Sequence, residues 1–283
     1  MRVLVVGSNG QLGKELVEAC SSHAKTISLF TADSKTLDIG DREAVETLVR
    51  DLSPDIIFNA AAMTKVDLCE DLPAAAFRVN ALGVRNLVQV ASKMDAKVVH
   101  FSTDYVFDGT SNVPYLEWDE PNPISVYGKS KLAGERELRP TDLCLRTSWV
   151  VGRYGNNLIK TVLRLVSQGK ELRFVNDQFG SLTVAKDLAE KSLEMVFYGL
   201  GGLYHVTGQG SASWFEVVCK VVEEVAPRAV EVQSITSADL PSDRKARRPK
   251  NSVLENFALK NSGLSPLPKW EDSLVDLLRE IVR

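Results

Sequence analysis

The sequence predicts an α/β protein built on a doubly wound parallel sheet. Three observations carry that prediction. The chain opens with the apolar run Val3–Val6 and breaks at once into a glycine-spaced turn, Gly7-Ser-Asn-Gly10-Gln-Leu-Gly13. Over the first 150 residues, short runs rich in β-branched residues alternate with helical stretches. Those runs are continuously apolar, which is the pattern of strands covered on both faces. Right-handed crossovers between such strands place helices on each side of the sheet.

The elements follow in order. Val3–Val6 is a strand and Gln11–Cys20 a helix; Thr26–Phe30 is the second strand. A helix over Asp41–Leu52, with Asp41 or Gly40 near its cap, is ended by Pro54. Asp55–Asn59 is a strand, Ala74–Met94 one long helix, Lys97–Ser102 a strand, Ser125–Leu138 a helix and Leu143–Thr147 a strand. This is a Rossmann-type arrangement over residues 1–150. Beyond it the alternation weakens. Asn156–Gln168, Val184–Val196 and Ser213–Val225 read as helices, the second opened by the Thr183 hydroxyl. Glu171–Val175, Leu203–Val206 and Glu231–Ile235 read as strands, Ser237–Ser252 as a loop, and a last helix starts near Lys269 or Trp270. Residues 151–283 are therefore expected to form a smaller substrate-binding lobe, interleaved with the sheet, leaving a cleft at the strand ends.

Composition narrows the function classes. The chain has 283 residues, is 44% hydrophobic and carries a formal net charge of -3. Nothing in that balance points to nucleic acid. No apolar run reaches the roughly 18 to 20 residues that span a bilayer. A strand begins directly after Arg2, so no signal peptide is expected and a cytoplasmic protein is. Cys20, Cys69, Cys144 and Cys219 are far apart, with no paired spacing, and read as buried reduced thiols. His23, His100 and His205 are equally scattered and read as structural.

The glycine turn is a candidate dinucleotide site. Gly7 makes the tight turn, Gly10 lets backbone approach a pyrophosphate, and Gly13 permits close packing of helix on sheet. The choice between NADH and NADPH usually falls on residues after the second strand. Here Phe30-Thr-Ala-Asp33-Ser-Lys35 is ambiguous: no carboxylate sits directly at the predicted strand end, and Asp33 and Lys35 argue oppositely. NADPH is expected because reductive biosynthesis usually uses it, with NADH the other candidate. Ala60-Ala61-Ala62 offers small side chains where a cofactor lies across the sheet edge.

Catalysis is read from three residues. Tyr127 and Lys131 stand four apart, on one face of a helix. Thr103 follows the apolar run that ends at Ser102. Reduction of a ketone needs a hydride, supplied by the cofactor, and a proton. A phenol with an ordinary pKa of about 10 is a poor donor near neutrality. A lysine ammonium one turn away should lower that value and also hold the nicotinamide ribose. The Thr103 hydroxyl polarises the carbonyl.

These features, with several longer runs, resemble the extended short-chain dehydrogenase/reductase superfamily, and within it the dTDP-4-dehydrorhamnose reductases. The runs are Asn59-Ala-Ala-Ala-Met-Thr-Lys-Val-Asp67, Phe101-Ser-Thr-Asp-Tyr-Val-Phe-Asp-Gly109 and Val126-Tyr-Gly-Lys-Ser-Lys-Leu-Ala-Gly-Glu135. Arg146-Thr-Ser-Trp-Val150, Gly155-Asn-Asn157, Asn176-Asp-Gln-Phe-Gly180, Gly202-Leu-Tyr-His205 and Arg248-Pro-Lys-Asn-Ser252 extend the similarity over nearly the whole chain. The resemblance implies NAD(P)H-dependent reduction of the C4 ketone of dTDP-4-dehydro-L-rhamnose to dTDP-L-rhamnose. It implies that Tyr127 protonates the C4 oxygen, that Lys131 holds the ribose, and that Thr103, Asp104 and Trp149 contact the sugar. Gly7, Gly10, Gln11, Leu12, Gly13, Asp38, Ile39, Ala62, Met63, Thr64 and Phe101, with Tyr127 and Lys131, would line the cofactor site. Arg248, in the basic stretch Arg244–Lys250, would bind the diphosphate of the nucleotide sugar, since Arg grips such groups bidentately. The partner is thus a nucleotide-sugar substrate, with no nucleic acid and no membrane, in a monomer or homodimer.

The resemblance also sets limits. Some of its members bind magnesium through glutamates at a dimer interface. Glu15 matches one such position, but Lys186 stands where a second carboxylate is implied, and a lysine cannot ligate a hard cation. No metal is therefore expected. Met63 replaces a more polar or aromatic residue. Trp118, Trp214 and Trp270 read as packing residues. Dehydration would need a pair of carboxylates beside Thr103, and only Asp104 is there. Two other readings stay open: reduction of a different nucleotide 4-keto-6-deoxysugar, and a non-catalytic regulatory subunit of the methionine adenosyltransferase type.

Overall fold

Six parallel strands form the main sheet: β1 (Arg2–Val6), β2 (Ser28–Ala32), β3 (Ile56–Asn59), β4 (Lys97–Thr103), β5 (Leu143–Thr147) and β10 (Gly202–His205). Their spatial order is β2-β1-β3-β4-β5-β10. The computed structural model describes residues 1–226, 230–241 and 244–282. After β2 the chain crosses back over β1 to lay down β3, so the strand order reverses between β1 and β3. Crevices at such reversals, at strand C-terminal ends, are where α/β sheets bind ligands. The register lines those ends up: Val6 pairs with Ala32 and Asn59, and Thr103 with Thr147.

Alternation of side chains along each strand divides the core. Val3 and Val5 point to one face, where α1 (Gln11–Ser21) and α8 (Ala185–Phe197) bury Leu16, Cys20, Leu188 and Leu193. Leu4 and Val6 point to the other, against α2 (Arg42–Leu52) and α5 (Gly83–Ser92), through Val45, Val49, Val84 and Leu87. Asp41 caps α2, accepting from the Glu43 and Ala44 amides at 3.0 and 3.2 Å.

The remaining chain builds a second core on short strand pairs. β6 (Val150–Val151) pairs with β9 (Thr183–Val184), β7 (Leu172–Val175) with β12 (Val232–Ile235), and β8 (Phe179–Gly180) antiparallel with β11 (Ala212–Ser213). Helices α7 (Leu158–Ser167), α9 (Trp214–Val225) and α11 (Trp270–Val282) close over them, burying Ile159, Val217, Val221 and Leu274. Among the described residues, no helix is long and apolar enough to cross a membrane.

Several expectations need correction. β2 runs two residues further than expected, to Ala32, so the Asp33 carboxylate does sit directly at the strand end. The long helix expected over Ala74–Met94 is α4 (Pro73–Phe77), a π-helical turn at Arg78–Leu82, and α5. Thr183 does not cap α8; it lies in β9, and Val184 takes the cap position without a side-chain bond. Trp118 is 63% exposed rather than packed, edge-on to Phe257. The expected loop over 237–252 holds a single 3₁₀ turn at Ser237–Asp239, and residues 242 and 243 within it lie outside the described residues. Short α3 (Val66–Asp71) and α10 (Phe257–Lys260) were not expected, since neither is long enough to show a period.

Candidate active site

The glycine turn meets the geometric requirement for a dinucleotide. Gly7 has φ +79°, and a Cβ there would stand 2.6 Å from the Ala61 amide nitrogen. At Gly13 a Cβ would stand 2.1 Å from the Gly7 carbonyl oxygen, so only glycine lets α1 sit this close to β1. Gly10 precedes α1 in extended conformation, no side chain caps the helix, and no acidic residue occupies its first turn. Among the described residues no side chain caps the first amides of α1, which leaves them for an anion such as a pyrophosphate. Gln11 turns toward the second core: its Nε2 donates to the Val150 carbonyl at 2.9 Å and its Oε1 accepts from Asn157 at 2.7 Å. Leu12 packs against the main core. Asp38 is paired with Arg78 at 2.6 Å, and Ile39 is buried under α5. Asp33 accepts from the Lys35 and Thr36 amides at 2.9 and 3.1 Å, and from Asn9 of the glycine turn.

The Tyr127/Lys131 helix, α6 (Val126–Glu135), is held at both ends. Ser125 caps it, accepting from the Gly128 amide at 3.1 Å, and Glu70 of α3 accepts from the Val126 amide at 2.8 Å. A Cβ at Gly128 would stand 2.1 Å from the Tyr105 carbonyl oxygen, so α6 lies directly on the segment after β4. At the far end Arg146 of β5 binds both oxygens of Glu135, at 3.0 and 2.8 Å, in an almost fully buried pair. Asn80, in the π-helical turn, accepts from the Met63 amide at 2.8 Å and donates to the Met63 carbonyl and the Ser130 hydroxyl. It fixes the Ala62-Met63-Thr64 stretch relative to Lys131. π-turns within helices are frequent at functional sites, but helical periodicity does not reveal them.

The three predicted catalytic groups come together. The Thr103 hydroxyl accepts from the Tyr105 amide and donates to Asp104 at 3.1 Å. Lys131, 2% exposed, donates to the Phe101 carbonyl at 2.6 Å, and its Nζ lies 3.1 Å from His100 Nε2. Burial drives the Tyr127 phenol well above its ordinary value; a hydrogen bond with Thr103 opposes the rise, and the Asp104 charge adds to it. The lysine-driven lowering expected for Tyr127 is therefore absent in this arrangement. Nζ is turned toward strand β4, and desolvation of the phenolate dominates. Burial also lowers Lys131 to about 8, opposed by Cys144 and Glu135. His100 is neutral, its pKa lowered by burial and by Lys131. It is hydrogen-bonded to Asn59 at 3.1 Å, so this histidine touches the site.

A cleft of about 1350 Å³, not lined by Thr103, Tyr127 or Lys131 themselves, is lined in part by Asp108, Gln178, Arg244, Arg247, Arg248 and Lys250. Arg248 is already engaged: it binds Asp67 of α3 through two contacts, the shorter 2.7 Å, and the Ala246 carbonyl at 2.9 Å. Lys245 pairs with Asp71, so this basic stretch is fastened to α3 rather than freely solvated. Trp149 has φ +47° and stacks on Trp214, with centroids 3.6 Å apart and planes 8° from parallel. A Cβ on Gly180 would strike its indole at 2.5 Å. Glu15, the position matched to a metal ligand, is bound by Arg153 at 3.0 Å, and Lys186 pairs with Glu280 at 2.8 Å.

A parallel Rossmann-type sheet with Thr103 at the end of β4, and Tyr127 and Lys131 on the helix packed beside it, is the arrangement of a short-chain dehydrogenase/reductase. The comparisons are narrower. A family model described as the RmlD substrate binding domain matches residues 1–283, and the chain belongs to that family. It is 40% identical, over 96% of its length and 95% of the relative's, to a dTDP-4-dehydrorhamnose reductase of Sinorhizobium fredii. Its fold matches the crystal structure of a dTDP-4-dehydrorhamnose reductase from Clostridium acetobutylicum with a TM-score of 0.95, at 36% identity over all of both chains. It matches the Bacillus anthracis dTDP-4-dehydrorhamnose reductase solved with NADP with a TM-score of 0.92, at 38% identity, covering 99% and 98% of the two chains.

Proposed function

We propose that this protein reduces the C4 ketone of dTDP-4-dehydro-L-rhamnose to dTDP-L-rhamnose, with NADPH as the preferred cofactor and NADH as the alternative. The observation that carries the reading is the grouping of Thr103, Tyr127 and Lys131 at the end of β4, on a sheet whose glycine turn leads into a helix without a side-chain cap. The relatives' printed activities support the same substrate. The bound cofactor supplies the hydride.

The residues of the chain supply the rest. Half-buried Tyr127, its phenol raised by desolvation, keeps its proton at neutral pH, which is what a donor to the C4 oxygen needs. The Thr103 hydroxyl, next to it, hydrogen-bonds the same oxygen. As the proton leaves, negative charge appears on the phenolate, which its desolvated setting disfavours. Lys131, cationic below about pH 8, then swings from the Phe101 carbonyl to offset that charge and to bind the ribose. Trp149, stiffened by its stack on Trp214, offers an edge to the sugar. Arg247 and Lys250 join Arg248 as cations of the cleft in which the diphosphate lies. Residues 151–283 act as the substrate-binding part, and the protein works in the cytoplasm as a monomer or homodimer.

The test is oxidation of NADPH, followed at 340 nm, with enzymatically generated dTDP-4-dehydro-L-rhamnose, repeated with NADH. Formation of dTDP-L-rhamnose supports the reading. Binding of cofactor without turnover would remove it, leaving another keto sugar or a regulatory role.

A further inference from the structure

The Asp104 carboxylate is almost completely buried, at 2% exposure, yet among the described residues no cationic side chain hydrogen-bonds it. Its side-chain partners are two hydroxyls. Thr103 donates to Oδ1 at 3.1 Å, and Ser252 donates to Oδ2 at 2.5 Å. Ser252 is itself 2% exposed and comes from the far end of the chain. Its amide donates to the Phe179 carbonyl at 2.8 Å, beside the Gly180 that abuts Trp149. Four residues earlier the same segment carries Arg248 on Asp67. One serine thus ties the basic wall of the cleft and the Trp149 neighbourhood to the residue that follows Thr103.

We propose that Ser252 is a positioning residue for the reduction: its hydroxyl fixes the Asp104 carboxylate beside Tyr127 and fastens the cationic loop to the catalytic strand. The inference rests on the reductase reading above. An isolated buried carboxylate is costly, and a hydroxyl that donates to it favours its charged form. Burial raises Asp104 to about 6, with Ser252 the largest opposing influence and Thr103 the next. Backbone amides at Asp104 and Tyr105 favour the charged form after the two hydroxyls, and the other titratable groups near the pair do not change charge around neutral pH. Tyr127 on α6 and Tyr105 on the same segment stay neutral, each raised first by burial. Cys69 on α3 is a thiol raised by burial. Arg248 and Asp67 compensate each other.

The experiment compares wild type, Ser252→Ala and Ser252→Thr. Asp104 is titrated in the ligand-free protein by carboxyl ¹³C NMR, and kcat/KM for the keto sugar is measured across the pH range. Loss of one hydrogen bond to a charged group should move the Asp104 midpoint and the acid limb of kcat/KM upward together, by about one pH unit. The kcat/KM of Ser252→Ala then falls about fivefold at pH 6, approaches a tenfold loss at lower pH and hardly changes near pH 8, with KM for NADPH unmoved. Ser252→Thr, which keeps the hydroxyl, should lie near wild type. An unmoved midpoint, or a midpoint that moves while the acid limb stays, overturns the proposal. Unchanged NADPH affinity and an unchanged circular-dichroism spectrum exclude misfolding as the cause, while the thermal midpoint near pH 8 falls by a few degrees, as the raised Asp104 midpoint requires. Failure of the reductase reading looks different: wild type then turns over no keto sugar although its Asp104 midpoint still responds to Ser252.

Discussion

Asp104→Asn should make the protein more stable, and more so above pH 6 than below it. The carboxyl titrates near 6 in the folded chain against an ordinary 3.8. A difference of about two units corresponds to about 3 kcal/mol of destabilisation when the group is ionised in both states. The folded pKa lies above the unfolded one, so the folded protein binds the proton more tightly. The cost is therefore fully present above about pH 6 and is relieved as pH falls from there toward the unfolded value. An asparagine carries no such cost, but its amide group meets one hydroxyl less well, which offsets about 1 kcal/mol. The net gain is about 2 kcal/mol near pH 8, smaller by about 1 kcal/mol near pH 5. Urea unfolding of both proteins at several pH values measures it. A stability difference independent of pH, or a variant less stable than wild type near pH 8, would refute the reasoning. The same variant should be a poor enzyme, because a strained buried charge is kept where chemistry uses it.

Three further outcomes are expected. Tyr127→Phe should lower kcat by about 10²-fold or more while NADPH affinity changes little, and near-normal turnover would sink the donor assignment. Gly128→Ala places a methyl 2.1 Å from the Tyr105 carbonyl oxygen; the helix must shift, and kcat should fall at least tenfold, checked with rates and a thermal midpoint. Wild-type kcat should decline above about pH 8 as Lys131 loses its proton. Holding Lys131's titration responsible requires that the decline be gone in a Lys131→Met variant assayed at its much lower rate.

Much of this architecture is written in short-range pattern. Apolar strands, the glycine turn and the Tyr127/Lys131 spacing are each local, and the fold keeps them. What pattern could not supply is of two kinds. Two-residue strands such as β8 and β11 are too short to have a period, and exist because tertiary packing brings their backbones together. The other kind is pairing across long sequence distances. Nothing near Ser252 announces Asp104, and nothing near Asn80 announces Met63 and Ser130. Arg248 was legible as a cation in a useful place, but its engagement with Asp67 was not. The electrostatic state of Tyr127 was misread from spacing alone, since spacing sets proximity to Lys131 and says nothing of burial.

The last strand of the sheet has a consequence for how the chain is made. β10 covers β5, and is in turn packed against α10 and the segment before it, through the contact of His205 with the Glu255 carbonyl. A nascent chain that has emerged only as far as β5 therefore presents an open strand edge to its surroundings, a template for pairing with other chains. That edge closes only after α7 and α8 have been synthesised, and its cover arrives near the C-terminus. Long-range pairing of this kind folds slowly. The molecule should consequently depend on chaperones or low temperature during synthesis more than its mature stability suggests, and fragments cut after β5 should aggregate rather than fold.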